Sequence, residues 1–237
     1  MMGNIITELL DFIFPRRCLK CSKILDTTGY LCDDCAQNIN FITPPYCERC
    51  GAPLYGDLIK KCPDCLKKKR RFYRLARSAM IYDESSKGLI TSFKFKDKTE
   101  NAKLLAVMLK VAGKDIFNSD VDLIIPVPLH YTRLIKRRYN QAAVLAQELS
   151  LMVNIPVDCQ SLIRHRKTRP QVELSGQARI SNVRNAFSVN HFDKIKNKRI
   201  VLIDDVTTTG STLKESAKAL KKAGAKSVDV LTLARTL

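Results

Sequence analysis

One short segment, residues 199–213, restricts the fold of this chain more than any other. Its apolar run, residues 200–203, lacks the alternating polar face of a half-exposed strand and therefore predicts a buried parallel strand. Asp204 and Asp205 follow, and a loop of small residues then leads directly into a helical segment that ends near Gly224. Such a strand–loop–helix unit aims main-chain N–H groups and the positive end of a helix dipole at one point.

The loop itself, residues 207–212, predicts a phosphate site. Its Thr and Ser hydroxyls add donors to the main-chain N–H groups, and two adjacent carboxylates suit sugar hydroxyls or a hydrated Mg²⁺. The alternative is an ordinary strand end with an acidic helix cap and no ligand. Two neighbouring acids beside an all-hydroxyl turn fit that alternative poorly.

Eight of the nine cysteines form four Cys-x-x-Cys pairs, which indicate metal binding. They are Cys18, Cys21, Cys32, Cys35, Cys47, Cys50, Cys62 and Cys65. Two pairs complete one tetrahedral Cys₄ site, and the regular spacing favours two successive zinc ribbons. A crossed pairing, first pair with third, stays open, as does an iron–sulfur cluster. Disulfides are disfavoured because no export signal is evident. Cys159, the ninth cysteine, is expected to be an ordinary, partly buried thiol.

The composition is that of a folded protein with anionic partners. Of 237 residues, 27% are charged and 45% are hydrophobic, and no stretch approaches the roughly 20 apolar residues of a membrane span. Without a basic leader or cleavage site, we expect a cytoplasmic protein with no signal peptide. The net charge of +18 favours nucleic acid or a phosphate-rich small molecule, unless it reflects only solvated lysines.

Strands alternate with helices along the rest of the chain. Predicted strands cover residues 79–82, 121–128, 155–157 and 228–233, and predicted helices cover 85–95, 104–111 and 141–151. This order predicts an α/β fold with a doubly wound, mostly parallel sheet and ligands at the carboxyl ends of the strands. The basic run at 67–71 marks the boundary between a small zinc-ribbon module, residues 1–70, and an α/β domain, residues 71–237.

Two further segments carry anion-binding chemistry. The strand that ends at the prolines of 126–128 is followed at once by guanidinium and amide groups between Arg133 and Gln141, which suit a pyrophosphate. Residues 162–187 are strongly basic and show no clear periodicity, as expected of a mobile cover over an anion.

Taken together, these motifs closely resemble the ComF (ComFC-like) family over residues 10–236. The resemblance is carried by the Cys-x-x-Cys repeats, Pro-Val-Pro-Leu-His at 126–130, Arg-Arg-Tyr-Asn-Gln-Ala at 137–142, Arg-x-Arg-x-Thr-x-Pro-Gln at 164–171 and the Asp-Asp-Val-Thr-Thr-Thr-Gly-Ser-Thr loop. The family is associated with natural competence and DNA uptake, and it joins a zinc module to a type I phosphoribosyltransferase domain. The resemblance implies two structural zinc ions, and Mg²⁺ with phosphoribosyl pyrophosphate (PRPP).

The resemblance also implies roles for particular residues. Asp204, Asp205 and Arg166 would be catalytic. The 5′-phosphate would lie against Val206, Thr207, Thr208, Thr209, Gly210, Ser211 and Thr212. The pyrophosphate would lie against Val127, Pro128, Leu129, His130, Arg138, Asn140 and Gln141. A flexible lid would contain Arg164, Arg166, Thr168, Arg169 and Gln171.

Three functions remain open on the sequence. The chain is a competence protein whose PRPP-type domain acts on or near single-stranded DNA, a phosphoribosyltransferase with a small-molecule acceptor, or a non-enzymatic zinc-ribbon adaptor of the uptake and recombination machinery. Only a few residues follow the last predicted strand, so we expect any acceptor to be recognised by the zinc module or residues 79–100. The acceptor itself and the oligomeric state are not specified.

Overall fold

The computed structural model describes residues 16–25, 29–56, 58–67, 72–95, 101–166 and 183–237. The strands are β1 Ala76–Ile81, β2 Leu123–Pro126, β3 Leu162–Arg164, β4 Phe187–Val189, β5 Arg199–Thr207 and β6 Ser227–Arg235. The helices are α1 Asp33–Gln37, α2 Pro63–Lys67, α3 Glu84–Phe95, α4 Asn101–Ala112, α5 Lys114–Phe117, α6 Tyr131–Arg137, α7 Gln141–Val153, α8 Phe192–Ile195 and α9 Ser211–Lys222.

The central sheet has four strands in the order β1-β6-β5-β2, and every neighbouring pair is parallel. β5 lies between β6 and β2, so the segment that most restricted the fold is an interior strand. This position explains its continuous apolar run, because an interior parallel strand is buried on both faces. The predicted parallel α/β sheet is confirmed.

Helices cover both faces of this sheet. On one face, Val201 and Ile203 of β5 belong to a core with Leu89 of α3, Leu105 of α4 and Leu145 of α7. On the other face, Ile200 and Leu202 belong to a core with α9, α8 and the β3–β4 pair, contributed by residues such as Leu220, Ile195 and Leu162. Successive β5 side chains therefore alternate between two apolar layers, as a doubly wound sheet requires.

Three expectations about local structure are wrong. Residues 155–157 do not form a strand and make a single bridge, Val157 to Ile124, since Pro156 has no N–H to extend the ladder. Residues 162–187 were expected to be irregular throughout, but β3 and β4 form an antiparallel pair at either end of that segment. Cys159, expected to be partly buried, is exposed.

The zinc-ribbon region covers the outer edge of β1. Phe41 bridges to Met80 in antiparallel fashion, with the N–H of Ile42 donating to the carbonyl of Ala79 at 3.0 Å. The N–H of Ile81 donates to the carbonyl of Asn40 at 2.8 Å. Main-chain groups that an edge strand would leave open are thus paired.

Across the described ranges, every helix is too short or too polar to traverse a lipid bilayer.

Candidate active site and zinc centres

The candidate active site lies where β2 and β5 end side by side. Pro126 pairs with Ile203, and the N–H of Val127 donates to the carbonyl of Ile203 at 2.8 Å. The loop 127–130 therefore leaves the sheet directly beside Asp204. Parallel pairing brings together two segments that are about eighty residues apart in the chain, as the predicted sheet edge required.

Asp204 and Asp205 belong to the last part of β5 and are both half-buried. Because neighbouring strand residues point to opposite faces, the two carboxylates diverge. Asp204 accepts a hydrogen bond from the N–H of Asp205 at 2.9 Å, and Asp205 accepts one from the N–H of Val206 at 2.6 Å. Each carboxylate thus stiffens the strand end and stays outside the two apolar cores.

The predicted phosphate turn is a tight turn at the start of α9. Gly210 caps the helix with φ +69°, a left-handed conformation that favours glycine. Among the described residues other than its chain neighbours, a methyl group added there would meet only the Thr207 hydroxyl within 4 Å, at 3.8 Å. The hydroxyls of Thr209 and Ser211 are 2.9 Å apart, and no acid lies in the first turn of α9. The turn retains the geometry of an anion site.

The predicted pyrophosphate loop is held from behind by its neighbours. Asn140 donates to the carbonyl of Val127 at 3.1 Å and accepts from the N–H of Ala142 at 3.1 Å, so it ties the loop to the start of α7. His130, 4% exposed, caps α6 through a 3.4 Å hydrogen bond from the N–H of Thr132. These bonds make Asn140 and His130 positioning groups for the loop backbone.

The other polar residues of this segment differ in exposure. Gln141 is 2% exposed and accepts a 3.3 Å hydrogen bond from Arg137. Arg138 is exposed and ends α6 with φ +65°. Arg138 is thus open to solvent, whereas Gln141 lies within the structure.

Arg164, which the sequence placed in a flexible lid, is instead a buried residue of β3. It is 8% exposed, and its guanidinium carbon lies 5.4 Å from the centre of the Phe187 ring. Burial and the charge of Arg133 lower its pKa to about 10, while the charge of Asp204 acts in the opposite direction. It therefore remains a cation at neutral pH, near Arg133 and Asp204.

The convergence of Arg164, Arg133 and Asp204 joins three separate elements, β3, α6 and β5. Sequence analysis missed this convergence, because it depends on the antiparallel pairing of β3 with β4, which no local pattern shows. Arg166 is exposed, 3.5 Å from the carbonyl of Arg184. Thr168, Arg169 and Gln171 lie outside the described residues.

The eight paired cysteines form two Cys₄ groups. One contains Cys18, Cys21, Cys32 and Cys35, and the other contains Cys47, Cys50, Cys62 and Cys65. Within each group the sulfur atoms lie within 4.8 Å of one another, which suits four thiolates around one tetrahedral Zn²⁺. Sequential pairing is confirmed and crossed pairing is wrong.

Comparison with known proteins agrees with both parts of this structure. The family model described as double zinc ribbon domain matches residues 9–66, and the one described as phosphoribosyl transferase domain matches residues 134–236. A solved glutamine PRPP amidotransferase from B. subtilis is 20% identical, with a TM-score of 0.41 over 60% of this chain and 30% of that one.

Curated relatives match nearly the full chain. Competence protein F of Haemophilus influenzae is 36% identical over 94% of this chain and 98% of its own length. DNA utilization protein YhgH of Salmonella typhi is 32% identical over 94% and 98%, and competence protein ComFC of Streptococcus pneumoniae is 25% identical over 92% and 100%. With its two Cys₄ groups and phosphoribosyltransferase fold, the chain belongs to the ComF family of competence and DNA-utilization proteins.

Proposed function

We propose that this protein binds PRPP with Mg²⁺ at the joined ends of β2 and β5 and transfers its pentosyl group, and that it works on or near single-stranded DNA. The observation that carries the proposal is the turn at Gly210, which follows Asp204 and Asp205 at a sheet edge where Arg164 interacts with Arg133 and Asp204. In this proposal the zinc-ribbon module ends near residue 70 and the transferase domain follows.

Each part of the edge has one task in the transfer. Main-chain N–H groups and hydroxyls of residues 206–212 bind the 5′-phosphate. Asp204 and Asp205 bind the ribose hydroxyls and stabilise positive charge as the C1–oxygen bond to pyrophosphate breaks. The acceptor supplies the electron pair that forms the new bond at C1, so no protein nucleophile is required. Asp204 and Asp205 would also hold Mg²⁺ bound with PRPP, and its charge would offset that of the departing pyrophosphate.

Arg164 contributes a fixed positive charge on the pyrophosphate side. Because it is buried and packed on Phe187, it needs little reorganisation as charge develops on the leaving group. Arg166, exposed at the start of the predicted lid, would add a second cation once PRPP is bound.

Single-stranded DNA is the proposed partner because of the +18 charge and because the relatives are named for competence and DNA utilization. Binding that rests on phosphate contacts weakens steeply with salt. The two other functions are transfer to a small-molecule acceptor and a non-enzymatic adaptor role. One measurement separates all three functions: the release of pyrophosphate from PRPP in the presence of each candidate acceptor.

Titration calorimetry with PRPP and Mg²⁺ tests the proposal. We expect binding by the wild type, and a loss of about 100-fold or more in the double variant Asp204→Asn/Asp205→Asn, since two charge-assisted contacts are removed. Asp193→Asn, an exposed aspartate on α8, is the matched control and should bind normally.

A second variant, Arg164→Met, should weaken PRPP binding without lowering the melting temperature, because a buried cation costs stability that an apolar side chain does not. Absence of any heat with the wild type would refute PRPP binding. If the protein binds PRPP but releases no pyrophosphate with any acceptor, including single-stranded DNA, pentosyl transfer is refuted and the adaptor function is supported.

A further inference from the structure

Helix α6 exposes apolar side chains where a surface helix normally exposes polar ones. Tyr131 is 66% exposed, Leu134 is 42% exposed and Ile135 is 75% exposed. Their spacing places them on one face of the helix, and Arg138 continues that face at its exposed end. Arg133 and Arg137 are half-buried on the other side. The apolar face of this helix therefore points to solvent and its arginine face points towards the protein, the reverse of a normal surface helix. An exposed apolar face beside a binding site indicates an interaction surface.

This face adjoins the candidate active site. α6 begins directly after the loop 127–130, and the ring of Tyr131 lies against that of His130, with centroids 4.4 Å apart and planes tilted by 42°. His130 is 4% exposed and caps the helix, so Tyr131 rests on a fixed support. A largely exposed aromatic ring held from behind is a suitable platform for a nucleobase.

Charge decides which partner suits the face. The α6 segment contains Arg133, Lys136 and Arg137 and no acid, and the whole chain carries +18. A second copy docked on this face would bring like charges together, which is unfavourable. A partner with flat apolar groups and a regular negative charge satisfies both the apolar and the cationic groups, and unpaired nucleic acid has that combination.

We propose that single-stranded nucleic acid docks on the face formed by Tyr131, Leu134, Ile135 and Arg138, with one base stacked on Tyr131. This inference rests on the proposed function and adds to it the surface that receives the strand. It places the strand beside the pyrophosphate loop, on the α/β part of the molecule.

Fluorescence anisotropy with a fluorescein-labelled oligothymidylate of roughly 16 nucleotides tests the surface. We expect Tyr131→Ala to weaken binding about 10- to 100-fold, the range given by the loss of one stacked base. Tyr131→Trp should bind at least as well as the wild type. Tyr55→Ala, which removes a 92% exposed tyrosine of the zinc-ribbon region, is the matched control and should have no effect.

An abasic strand of the same length separates stacking from charge. Wild type and Tyr131→Ala should bind it equally, because both present the same cations. PRPP calorimetry on Tyr131→Ala should match the wild type and thereby show that the fold is intact.

Three outcomes would overturn the inference. If wild type and Tyr131→Ala bind the oligothymidylate equally well, this surface is refuted and the proposed DNA partner stands. The same conclusion follows if Tyr55→Ala, rather than Tyr131→Ala, weakens the binding. If sedimentation shows that the wild type is a dimer and Tyr131→Ala a monomer, and the dimer does not bind the oligonucleotide, the face belongs to an interface with a second copy. A wild type that binds no oligonucleotide at low salt would refute the DNA partner and this surface together.

Discussion

The two Cys₄ groups have the same ligands and nearly the same spacing, yet their surroundings differ. All four cysteines of the second group, Cys47 to Cys65, are buried, whereas Cys21 of the first group is exposed and Cys32 is half-buried. Access of water and chelators to a metal depends on this shell more than on the ligands. Two centres with identical ligands therefore differ in how far their cysteines are exposed to solvent.

The difference arises because the second ribbon is bonded to the sheet. The N–H of Ala76 donates to the carbonyl of Arg49 at 2.8 Å, and Arg77 donates to that of Glu48 at 2.8 Å. Arg235, at the end of β6, donates to the carbonyl of Cys50 at 2.7 Å.

The first ribbon is bonded within itself by Cys18 N–H to Lys23 carbonyl and by Leu19 N–H to Tyr30 carbonyl, at 2.8 and 2.9 Å. The first ribbon meets the α/β part by apolar packing, since its partly buried Leu19 and Leu31 lie against the core on one face of the sheet. The comparison teaches that the second centre is tied to the sheet by hydrogen bonds next to its ligands, whereas the first is held there by side-chain packing.

Removing a ligand from each centre should produce the largest contrast. Structural zinc contributes about 10–16 kcal/mol in zinc-finger peptides, comparable to the stability of a whole domain. Cys50→Ser should therefore lower the melting temperature of the entire protein or abolish folding, while Cys21→Ser should retain the α/β fold and about one zinc per chain. Circular dichroism and metal analysis give both readouts.

If Cys50→Ser does not fold, the rate of zinc release from the wild type to an excess of chelator provides a second measurement. Two phases are expected, with the faster one assigned to the first centre because Cys21 is exposed. A single phase of two zinc ions would break the comparison.

A smaller contrast is expected at two glycines of the second ribbon. Gly51 has φ +65°, and a methyl group there would lie 2.7 Å from the main-chain oxygen of Ala76, across the contact with β1. Gly56 has φ +99°, and a methyl group there would meet none of the described residues within 4 Å, its chain neighbours aside. Both Gly→Ala changes strain the backbone, so the additional loss in Gly51→Ala, about 1–3 kcal/mol of unfolding free energy, measures the docking contact.

Urea denaturation of the two variants gives these free energies. Equal losses would show that the second ribbon does not depend on its contact with the sheet. Faster zinc release from the second centre in Gly51→Ala alone would sharpen the assignment of docking as the cause.

The smallest effect concerns the link between Asn40 and the start of α3. Hydrogen bonds from Ser85 and Asn40 lower the pKa of Asp83 to about 2, against a small opposing effect of burial. Asn40 donates to Asp83 at 2.6 Å. A depressed pKa in the folded state adds stability above the usual aspartate pKa, about 3.9, and this stability is lost as the pH falls toward 2.

Asn40→Ala should therefore raise the pKa of Asp83 toward its usual value and move the loss of stability to higher pH. Carboxyl NMR titration measures the shift. Asn38→Ala is the control, because the side chain of Asn38 donates to the carbonyl of Asp34 and not to Asp83. An unchanged pKa would mean that Ser85 and the helix N–H groups account for the whole effect.

Much of the candidate site was predictable because its parts are local. The apolar run before Asp204, the hydroxyl-rich turn at Gly210 and the prolines of the 127–130 loop each specify geometry over a few residues. Arg164 shows where such reasoning ends. The basic segment that contains Arg164 has no periodicity and was therefore interpreted as a mobile cover. Only the pairing of β3 with β4 and the contact with Phe187 show that the Arg164 guanidinium lies inside the fold.

The amino-acid sequence alone determined the metal ligands, the parallel α/β class and the hydroxyl-rich turn after Asp205, because each depends on residue type and short-range spacing. Only the tertiary structure decided which zinc centre is buried, which arginine lies near Asp204 and which face of α6 stays apolar and exposed. These features depend on contacts between segments tens of residues apart, and the free energy of such contacts is set by how whole elements pack rather than by any local pattern.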